Sequence, residues 1–225
     1  LGGTISAFEL IGGQGLAFLG ETMPGVPQPP AMETDWRVLV ECADAAGAGI
    51  GARREAALAA ALETGAVADV LVAQNDAQRA VFWGVRETIP EANRLVGAIS
   101  SHDISIPPAR LGEFVARGDL LVAGFDPELR VNCFGHLGDG NLHYNVFPPR
   151  GRSRGLYDAL REPVKEAVYD LVHELGGSVG AEHGVGRLKV ADLVRYGDPA
   201  KVAAMRAIKA ALDPLGILNP GAVLA

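Results

Sequence analysis

Two histidines flank a glycine-containing turn near the middle of the chain, where His136 precedes Asp139-Gly140 and His143 follows it. An Asp-Gly pair between two β-prone runs is typical of a two-residue type I′ hairpin turn, which needs positive φ at both central residues. With this turn, His136 would pair directly with His143, and their Cβ atoms would lie about 5 Å apart. The spacing therefore predicts a hairpin whose two imidazoles are placed to share one metal ion.

Asn145 lies two positions after His143 and so projects from the same face of the predicted strand. Alternatively, this face is an ordinary solvated surface of polar residues. A metal site also needs a third ligand, and the glycine-rich tract at 176–186 contains the pair Glu182-His183. In an ideal strand these two side chains would point to opposite sides, so both can serve one site only if the backbone bends at Gly184.

Two histidines and one carboxylate, with positions left for water or substrate, suit catalytic Zn²⁺ and also Fe²⁺ or Mn²⁺. The alternative for the second tract is a structural turn with an exposed Glu182. His102 and His173 have no comparable neighbourhood, and we expect them at the surface or on a helix face. Other common catalytic motifs are absent: the sequence has no P-loop, no dinucleotide-binding G-x-G-x-x-G and no G-x-S-x-G elbow.

Composition narrows the class of protein. The chain has 225 residues, with 20 Lys+Arg against 27 Asp+Glu and a net charge of −7, which argues against nucleic-acid binding because phosphate contacts need concentrated cations. No apolar run approaches the roughly 18 residues of a membrane span, and no signal-peptide pattern opens the chain. Two cysteines, Cys42 and Cys133, cannot form a disulfide framework, so we expect a cytoplasmic location.

The order of predicted elements indicates an α+β fold of mainly antiparallel sheet covered by helices, in one domain over 1–225. A helix over 5–19 is expected from a Ser6-x-x-Glu9 capping box, so the glycine run at 12–15 would lack the preceding strand of a phosphate loop. Pro90 should interrupt or kink the helix that starts at Asp76. Further strands are expected at 36–42, 67–72 and 99–106 and as a pair within 130–147, and further helices at 53–63, from 109, at 153–175 and at 199–212.

Three ordered motifs resemble a known family, the C-terminal domain of FAD-linked oxidases in the vanillyl-alcohol-oxidase superfamily, which includes D-lactate, glycolate and D-2-hydroxyglutarate dehydrogenases. They lie at 135–143, 181–186 and 213–220. Weaker landmarks lie at 6–10, 83–87 and 103–107, so the resemblance covers essentially the whole chain. It implies a ferredoxin-like α+β substrate domain. It also implies that a separate N-terminal domain holds most of the FAD. We expect that this domain is absent from the chain, which begins at Leu1, and that it is needed for activity.

The resemblance also assigns roles to individual residues. His136, His143 and Glu182 match the family's divalent-metal ligands, usually zinc, and His183 matches the proposed general base. The remaining matches are Arg86, which clamps the substrate carboxylate in the family, Asn145, a polar substrate-site residue, and Asn219, near which residual FAD contacts are expected.

The resemblance therefore implies an FAD-dependent enzyme that oxidises a D-2-hydroxy acid to a 2-oxo acid by hydride transfer to flavin. The expected partners are a small 2-hydroxy acid, the N-terminal FAD-binding domain, an electron acceptor that the sequence does not identify, and a second copy in a homodimer. Members resembling 2-hydroxyglutarate dehydrogenase have a Lys where this chain has Ser101 and a Thr where it has Pro90. Both of those family residues engage the substrate's far carboxylate, so these departures weaken the expectation of a dicarboxylic acid.

Two other functions remain open from the residues alone. A metal-dependent hydrolase would use metal-bound water, with Glu182 or His183 as the base. A non-catalytic domain would use the hairpin face as a partner surface.

Overall fold

The chain forms a five-stranded antiparallel sheet in the computed structural model, which describes residues 3–30, 34–43 and 49–224. The strands lie in the spatial order β2-β1-β4-β5-β3. Their bounds are β1 (Ile5–Gly12), β2 (Trp36–Cys42), β3 (Ser100–Ser105), β4 (Arg130–His136) and β5 (Asn141–Phe147). This arrangement confirms the predicted α+β class.

Helices cover both faces of the sheet. The α-helices in the described ranges are α1 (Gly13–Thr22), α2 (Ile50–Glu63), α3 (Asp76–Val96), α4 (Leu111–Phe125), α5 (Arg161–Glu174), α6 (Val190–Tyr196) and α7 (Pro199–Leu212). Short 3₁₀ helices precede α4 and α5, at Pro108–Arg110 and Arg154–Leu160. No helix in the described part of the chain is both long and apolar enough to cross a bilayer.

The alternation of side chains gives the sheet two different faces. One face packs against α4 and α5 through a large apolar cluster that includes Leu10, Ile104, Leu142, Tyr144, Phe114, Val168 and Val172. The opposite face packs against α1 and α3 through a smaller cluster that includes Ile11, Phe134, Phe147, Phe18, Leu19 and Ile89. Polar side chains share this second face with the smaller cluster, and they form the candidate site.

Several predicted elements are confirmed. Strands at 36–42 and 100–105 and the hairpin strands are present, as are the helices that end at Glu63 and Leu212. The last helix begins as expected with Pro199 in its first turn. Its N-cap residue is Asp198, whose carboxylate accepts the amide N–H groups of Ala200 and Lys201 at 2.8 and 3.2 Å.

Three predictions about elements are wrong. Residues 5–12 form β1 rather than the start of a helix, because Glu9 pairs across the sheet instead of capping a helix. The segment 67–72 has no pairing strand, and β propensity without a partner does not make a strand. The predicted interruption at Pro90 does not occur, because α3 continues from Asp76 to Val96 and its apolar side is buried around Ile89.

The glycine run at 12–15 therefore does follow a strand and opens α1, contrary to the expectation. Its environment nevertheless does not suit phosphate. The amide of Gly13 donates to the carbonyl of Asp35 at 2.7 Å, and the carboxyl-bearing residues Asp35 and Asp119 line the adjacent recess of about 270 Å³. Negative charge around a helix N-terminus opposes anion binding.

His102 is buried, with 1% exposure, and the prediction of a surface position is wrong. It lies on β3 against α5, where its ring contacts Tyr169 edge-on. Nδ1 lies 2.5 Å from the carbonyl oxygen of Tyr144, and Nε2 lies 2.9 Å from the hydroxyl of Ser100. A carbonyl only accepts, so the neutral ring donates from Nδ1 and accepts at Nε2. Burial lowers the pKa of His102 to about 4.

This depressed pKa predicts acid sensitivity. Below about pH 6.5 the unfolded chain binds a proton at His102 that the folded chain does not, so stability falls as the pH drops towards about 4. The cost is about 1.4 kcal/mol per pH unit within that window. Urea unfolding of the wild type and of His102→Gln between pH 7 and 4.5 should give a shallower pH dependence for the variant. The exposed His173→Gln should keep the wild-type slope, and equal slopes for wild type and His102→Gln would contradict the assignment.

Candidate metal and acid–base site

Four strands contribute one side chain each to a row across the second face of the sheet. Glu9 on β1 pairs with His136 on β4, and His143 on β5 pairs with Asp103 on β3. Residues directly opposite one another in an antiparallel sheet project to the same side. His136 also pairs with Asn141, two positions from His143, so all four side chains lie on one face.

The hairpin register differs from the predicted one. His143 pairs with Phe134, and the connection has four residues between His136 and Asn141 instead of two. Leu137 is drawn towards β1, where its amide donates to the carbonyl of Phe8 at 2.8 Å. The shift is two residues, so it preserves the face, and the two histidines are diagonal neighbours instead of direct partners.

Gly140 is required at the end of this connection. Its φ is +78°, and a Cβ atom there would lie 1.9 Å from the carbonyl oxygen of Ile106. Its own carbonyl accepts the amide of Ile106 at 2.9 Å. This position therefore attaches the end of the hairpin to the segment that follows β3.

A loop brings Glu182 and His183 over the same face. Ser178 pairs with Ser105 at the end of β3, and Gly177 lies so close that a Cβ atom there would be 2.3 Å from the Ser105 carbonyl oxygen. Asp103 then accepts the amide N–H groups of Glu182 and His183 through Oδ2, at 3.1 and 3.0 Å. This carboxylate fixes the backbone of the Glu-His pair above β3.

Lys189 connects the loop that carries Glu182 and His183 to β3. Its ammonium group donates to the carbonyls of Val179, at 2.9 Å, and Asp103, at 3.3 Å. The expected bend at Gly184 is present, with φ at +69°. Loop and strand are thus joined through backbone groups, which positions the side chains of Glu182 and His183 without involving them.

Glu182 lies between the three histidines. One carboxylate oxygen, Oε1, is 3.3 Å from Nε2 of His143 and 3.5 Å from Nε2 of His183. The other oxygen, Oε2, is 3.8 Å from Nε2 of His136. All three histidines therefore have Nε2 within 3.8 Å of the Glu182 carboxylate, and His183 is more exposed than the hairpin histidines.

Each hairpin histidine also has a carboxylate at its other nitrogen. Nδ1 of His136 lies 2.8 Å from Oε1 of Glu9, and Nδ1 of His143 lies 3.8 Å from Oδ1 of Asp103. Histidines that ligate metals through one nitrogen usually donate the other N–H to a carboxylate, which fixes the tautomer and the ring orientation. Both rings are thus arranged to present Nε2 towards Glu182.

Among the described residues, one group of three possible ligands has donor atoms within 4.8 Å of one another, namely Asp103, His143 and Glu182. Asp103 is already occupied by hydrogen bonds. Its Oδ1 accepts the side-chain amide of Asn141 at 2.9 Å, and its Oδ2 accepts two backbone amides. It also faces Nδ1 of His143, while Glu182 faces Nε2 of the same ring. The alternative set for Zn²⁺ is His136, His143 and Glu182, in which each histidine has Nε2 within 3.8 Å of the Glu182 carboxylate.

The site has an excess of negative charge. Its carboxylates are Glu9, Asp103 and Glu182. The cations beside them are Arg86, whose guanidinium pairs with Glu9, and Lys189, whose ammonium group lies at the Asp103 carbonyl. Three carboxylates and two cations leave one net negative charge. Glu9 and Asp103 are almost fully buried, and buried charges need partners. A divalent cation at the histidines would offset this excess.

The pKa of His143 favours metal ligation, and the pKa of Asp103 favours its role as a hydrogen-bond acceptor. Burial lowers the pKa of His143, although Asp103 and Glu182 act in the opposite direction. Burial alone would raise the pKa of Asp103, but hydrogen bonds from His183, Asn141 and Glu182 hold it below its usual range. The imidazole is thus biased towards its neutral, ligating form and the carboxyl group towards its ionised form.

Arg86 reaches the site from α3 and is 8% exposed. Its Nε and Nη2 both lie 2.9 Å from Oε2 of Glu9, and the guanidinium stacks 5.0 Å above the ring of Phe134. Nη1 has no hydrogen-bond partner among the described residues. The structure therefore places Arg86 beside His136 through their shared contact with Glu9.

Asn145 lies on the same face, further along β5. Its Oδ1 accepts the backbone amide of His102 at 3.1 Å, and no described residue accepts from its Nδ2. Asn219, in contrast, lies in the C-terminal loop, where it is exposed and its Oδ1 accepts from Arg187 at 3.1 Å. The structure thus brings Asn145 towards the site and does not bring Asn219 into it.

Sequence reasoning gave no site role to Glu9 or Asp103. Glu9 was expected to cap a helix, and its partner His136 is 127 positions away. Asp103 is 79 positions from Glu182. The available signal for Glu9 was an acidic residue within the mostly apolar segment ISAFELIG, since a carboxylate on the buried face of a strand needs a specific partner. Asp103 lies in the polar segment SSHDIS and gave no such signal.

The chain is similar to known proteins over almost its whole length. Residues 2–223 match the family described as FAD linked oxidases, C-terminal domain. The chain is 34% identical to a protein named D-2-hydroxyglutarate dehydrogenase, mitochondrial, from Arabidopsis thaliana, over all of this chain and 39% of that protein. It is 36% identical to the protein of the same name from Rattus norvegicus, over 98% of the chain and 39% of that protein.

A bacterial protein named D-2-hydroxyglutarate dehydrogenase, from Stutzerimonas stutzeri, is 33% identical over 98% of the chain and 47% of its own length. The chain therefore spans less than half of each of these relatives. All three are named dehydrogenases, and the hydrolase alternative finds no support among them.

The position of Asp103 predicts the effect of Asp103→Asn. An amide has one acceptor oxygen, so it cannot accept from both Asn141 and the two backbone amides. Losing hydrogen bonds to a charged acceptor costs about 1.5–3 kcal/mol, so the amides of Glu182 and His183 should exchange hydrogen roughly 10- to 100-fold faster. Exchange measured by NMR tests this, with Asp119→Asn as the control on the opposite face. Unchanged protection at 182–183 in Asp103→Asn would contradict the role of this carboxylate.

Proposed function

The chain belongs to the FAD-linked oxidases, whose C-terminal domain it matches, and we propose that it forms the substrate- and metal-binding half of an FAD-dependent D-2-hydroxy acid dehydrogenase. The observation that carries the proposal is the group of His136, His143 and Glu182 within an excess of negative charge. Without a bound cation this face would repel a carboxylate substrate. With one, it would attract such a substrate to the metal and to Arg86.

The ligands of the proposed ion are Nε2 of His136, Nε2 of His143 and the carboxylate of Glu182. A divalent ion, when bound, polarises hydroxyl and carboxylate oxygens, and a bound flavin accepts hydride. Side chains of the site bind the substrate and take up its proton. Arg86 binds the substrate carboxylate through the donors that Glu9 does not occupy, a task that suits a planar guanidinium. Nδ2 of Asn145 offers one further donor on the same face.

His183 receives the proton of the 2-hydroxyl group. Imidazole exchanges protons near neutral pH, and this ring lies at the open side of the site, with its backbone fixed by Asp103. Its Nε2 is 3.5 Å from Glu182, so a substrate hydroxyl placed at the metal lies within reach of the base. The exposed position of the ring also gives the proton a route to solvent.

A second domain is needed for the whole reaction. The chain corresponds to less than half of the relatives named above, and we propose that an N-terminal FAD-binding domain supplies the flavin. Large apolar side chains are exposed around the C-terminal helices, including Leu188 and Leu215, which are 94% and 80% exposed. Exposed apolar clusters of this kind suit a protein partner, and Asn219 lies in the same region.

The substrate's far end faces a site with one positive charge fewer than the family pattern. Ser101 is exposed on β3 and pairs with Asn145, so it lies on the site face. Pro90 in α3 occupies the other position at which relatives of the 2-hydroxyglutarate type have a polar contact. We propose a D-2-hydroxy acid without a second carboxylate as the better substrate.

Dye reduction tests the activity. Joined to an FAD-binding domain of its family and loaded with flavin, the chain should reduce an artificial acceptor with at least one acid from a panel of D-2-hydroxy acids. The double variant His136→Ala/His143→Ala should lose about a hundredfold or more in kcat, because metal polarisation is worth several kcal/mol. His173→Ala on α5 is the matched control. Flavin-loaded protein that is inactive with every acid would refute the proposal.

Substitution of Ser101 tests the substrate class. Ser101→Lys adds the missing cation, and a charge-assisted hydrogen bond contributes about 1.5–3 kcal/mol. The ratio of kcat/KM for D-2-hydroxyglutarate to that for D-lactate should therefore rise at least about tenfold. Ala59→Lys, on the exposed side of α2, should leave the ratio unchanged. A wild-type preference for D-2-hydroxyglutarate, with no effect of Ser101→Lys, would contradict this specificity.

A further inference from the structure

Glu9 connects the two halves of the proposed site. Its Oε1 contacts Nδ1 of His136 at 2.8 Å, while its Oε2 receives Nε and Nη2 of Arg86, both at 2.9 Å. The side chain is 7% exposed, so water does not replace these partners easily. One buried carboxylate thus joins an expected metal ligand to the expected substrate clamp.

Both oxygens of this carboxylate must accept. The guanidinium of Arg86 has only hydrogen-bond donors, so Oε2 of Glu9 must act as the acceptor. Oε1 accepts from His136 when the ring is protonated at Nδ1, and this tautomer leaves the lone pair of Nε2 directed at Glu182. We propose that Glu9 is a positioning residue that sets the metal-binding tautomer of His136 and simultaneously orients Arg86. This inference rests on the metal site of the proposed function.

The variant Glu9→Gln separates this role from a merely structural one. A carboxamide has the same shape but one acceptor oxygen and one donor nitrogen. Arg86 requires the oxygen, so the nitrogen must face Nδ1 of His136. A donor at that point matches only an unprotonated Nδ1, and the proton of the neutral ring then moves to Nε2. An Nε2 that carries a proton cannot ligate a metal ion.

The test measures tautomer and metal affinity in the 225-residue chain. Imidazole ¹⁵N spectra distinguish the two neutral tautomers, and the His136 signals are assigned by their loss in His136→Gln. We expect the Nδ1–H form in the metal-free wild type and the Nε2–H form in Glu9→Gln. Calorimetric titration with Zn²⁺ should show a 10- to 100-fold weaker affinity for Glu9→Gln, the range typical when a carboxylate behind a ligating histidine is lost.

The chain offers a matched control and a rescue. Glu41 on β2 also accepts from an arginine of α3, Arg79, at 2.8 Å, and lies outside the site, so Glu41→Gln should change neither tautomer nor Zn²⁺ affinity. In Glu9→Gln/Arg86→Met no arginine competes for the amide oxygen. That double variant should recover the Nδ1–H tautomer and most of the affinity for Zn²⁺.

Three results would overturn the inference. One is an unchanged tautomer and Zn²⁺ affinity in Glu9→Gln, and another is a loss of affinity that Arg86→Met does not reverse. If Glu9→Gln does not fold, the wild-type spectrum alone still decides, since an Nε2–H tautomer of His136 there contradicts the role of Glu9. A wild type with the Nδ1–H tautomer but no Zn²⁺ binding would instead refute the metal site of the proposed function and leave the contact between Glu9 and His136 intact.

Discussion

The hydrogen bonds from the backbone amides of Glu182 and His183 to the carboxylate of Asp103 hold the site together. The sheet by itself presents His136 and His143, each with a carboxylate at its Nδ1. Glu182, in the loop that follows Ser178, contacts Nε2 of both histidines. Asp103 attaches that loop at the two residues that carry the chemistry. The charge of Asp103 also adds to the negative excess of the site.

The division of the sheet into two faces makes this polar assembly compatible with a stable fold. One face is mostly apolar, with Ser100 and His102 as buried polar residues, and it packs against α4 and α5 through the larger of the two apolar clusters. The other face is shared between a smaller apolar cluster and the charged residues. Arg86 joins the two regions, because its guanidinium lies over Phe134 of the apolar cluster while its donors reach Glu9. Packing of α3 therefore positions the proposed substrate clamp.

Local signals in the sequence identified much of the site but not its assembly. The Asp139-Gly140 turn located the hairpin, and the side-chain period of two kept both histidines on one face although the register was wrong by two residues. That error came from a contact with Phe8, which the hairpin sequence alone cannot reveal. The sequence around Glu9 is compatible with a helix that begins with a capping box and also with a strand. Only the pairing between β1 and β4 decides between the two. Contacts over 79 and 127 positions depend on topology, so the orienting carboxylates could not be recognised from local pattern.

We propose that His136, His143 and Glu182 bind one divalent ion, with Asp103 outside the ligand set. Anomalous diffraction from crystals of the zinc-bound chain, collected on both sides of the zinc absorption edge, tests this most directly. We expect one peak within about 2.0–2.2 Å of Nε2 of both hairpin histidines and of a Glu182 oxygen. A peak bound by Asp103 in place of His136, or no peak between the two histidines, would contradict it.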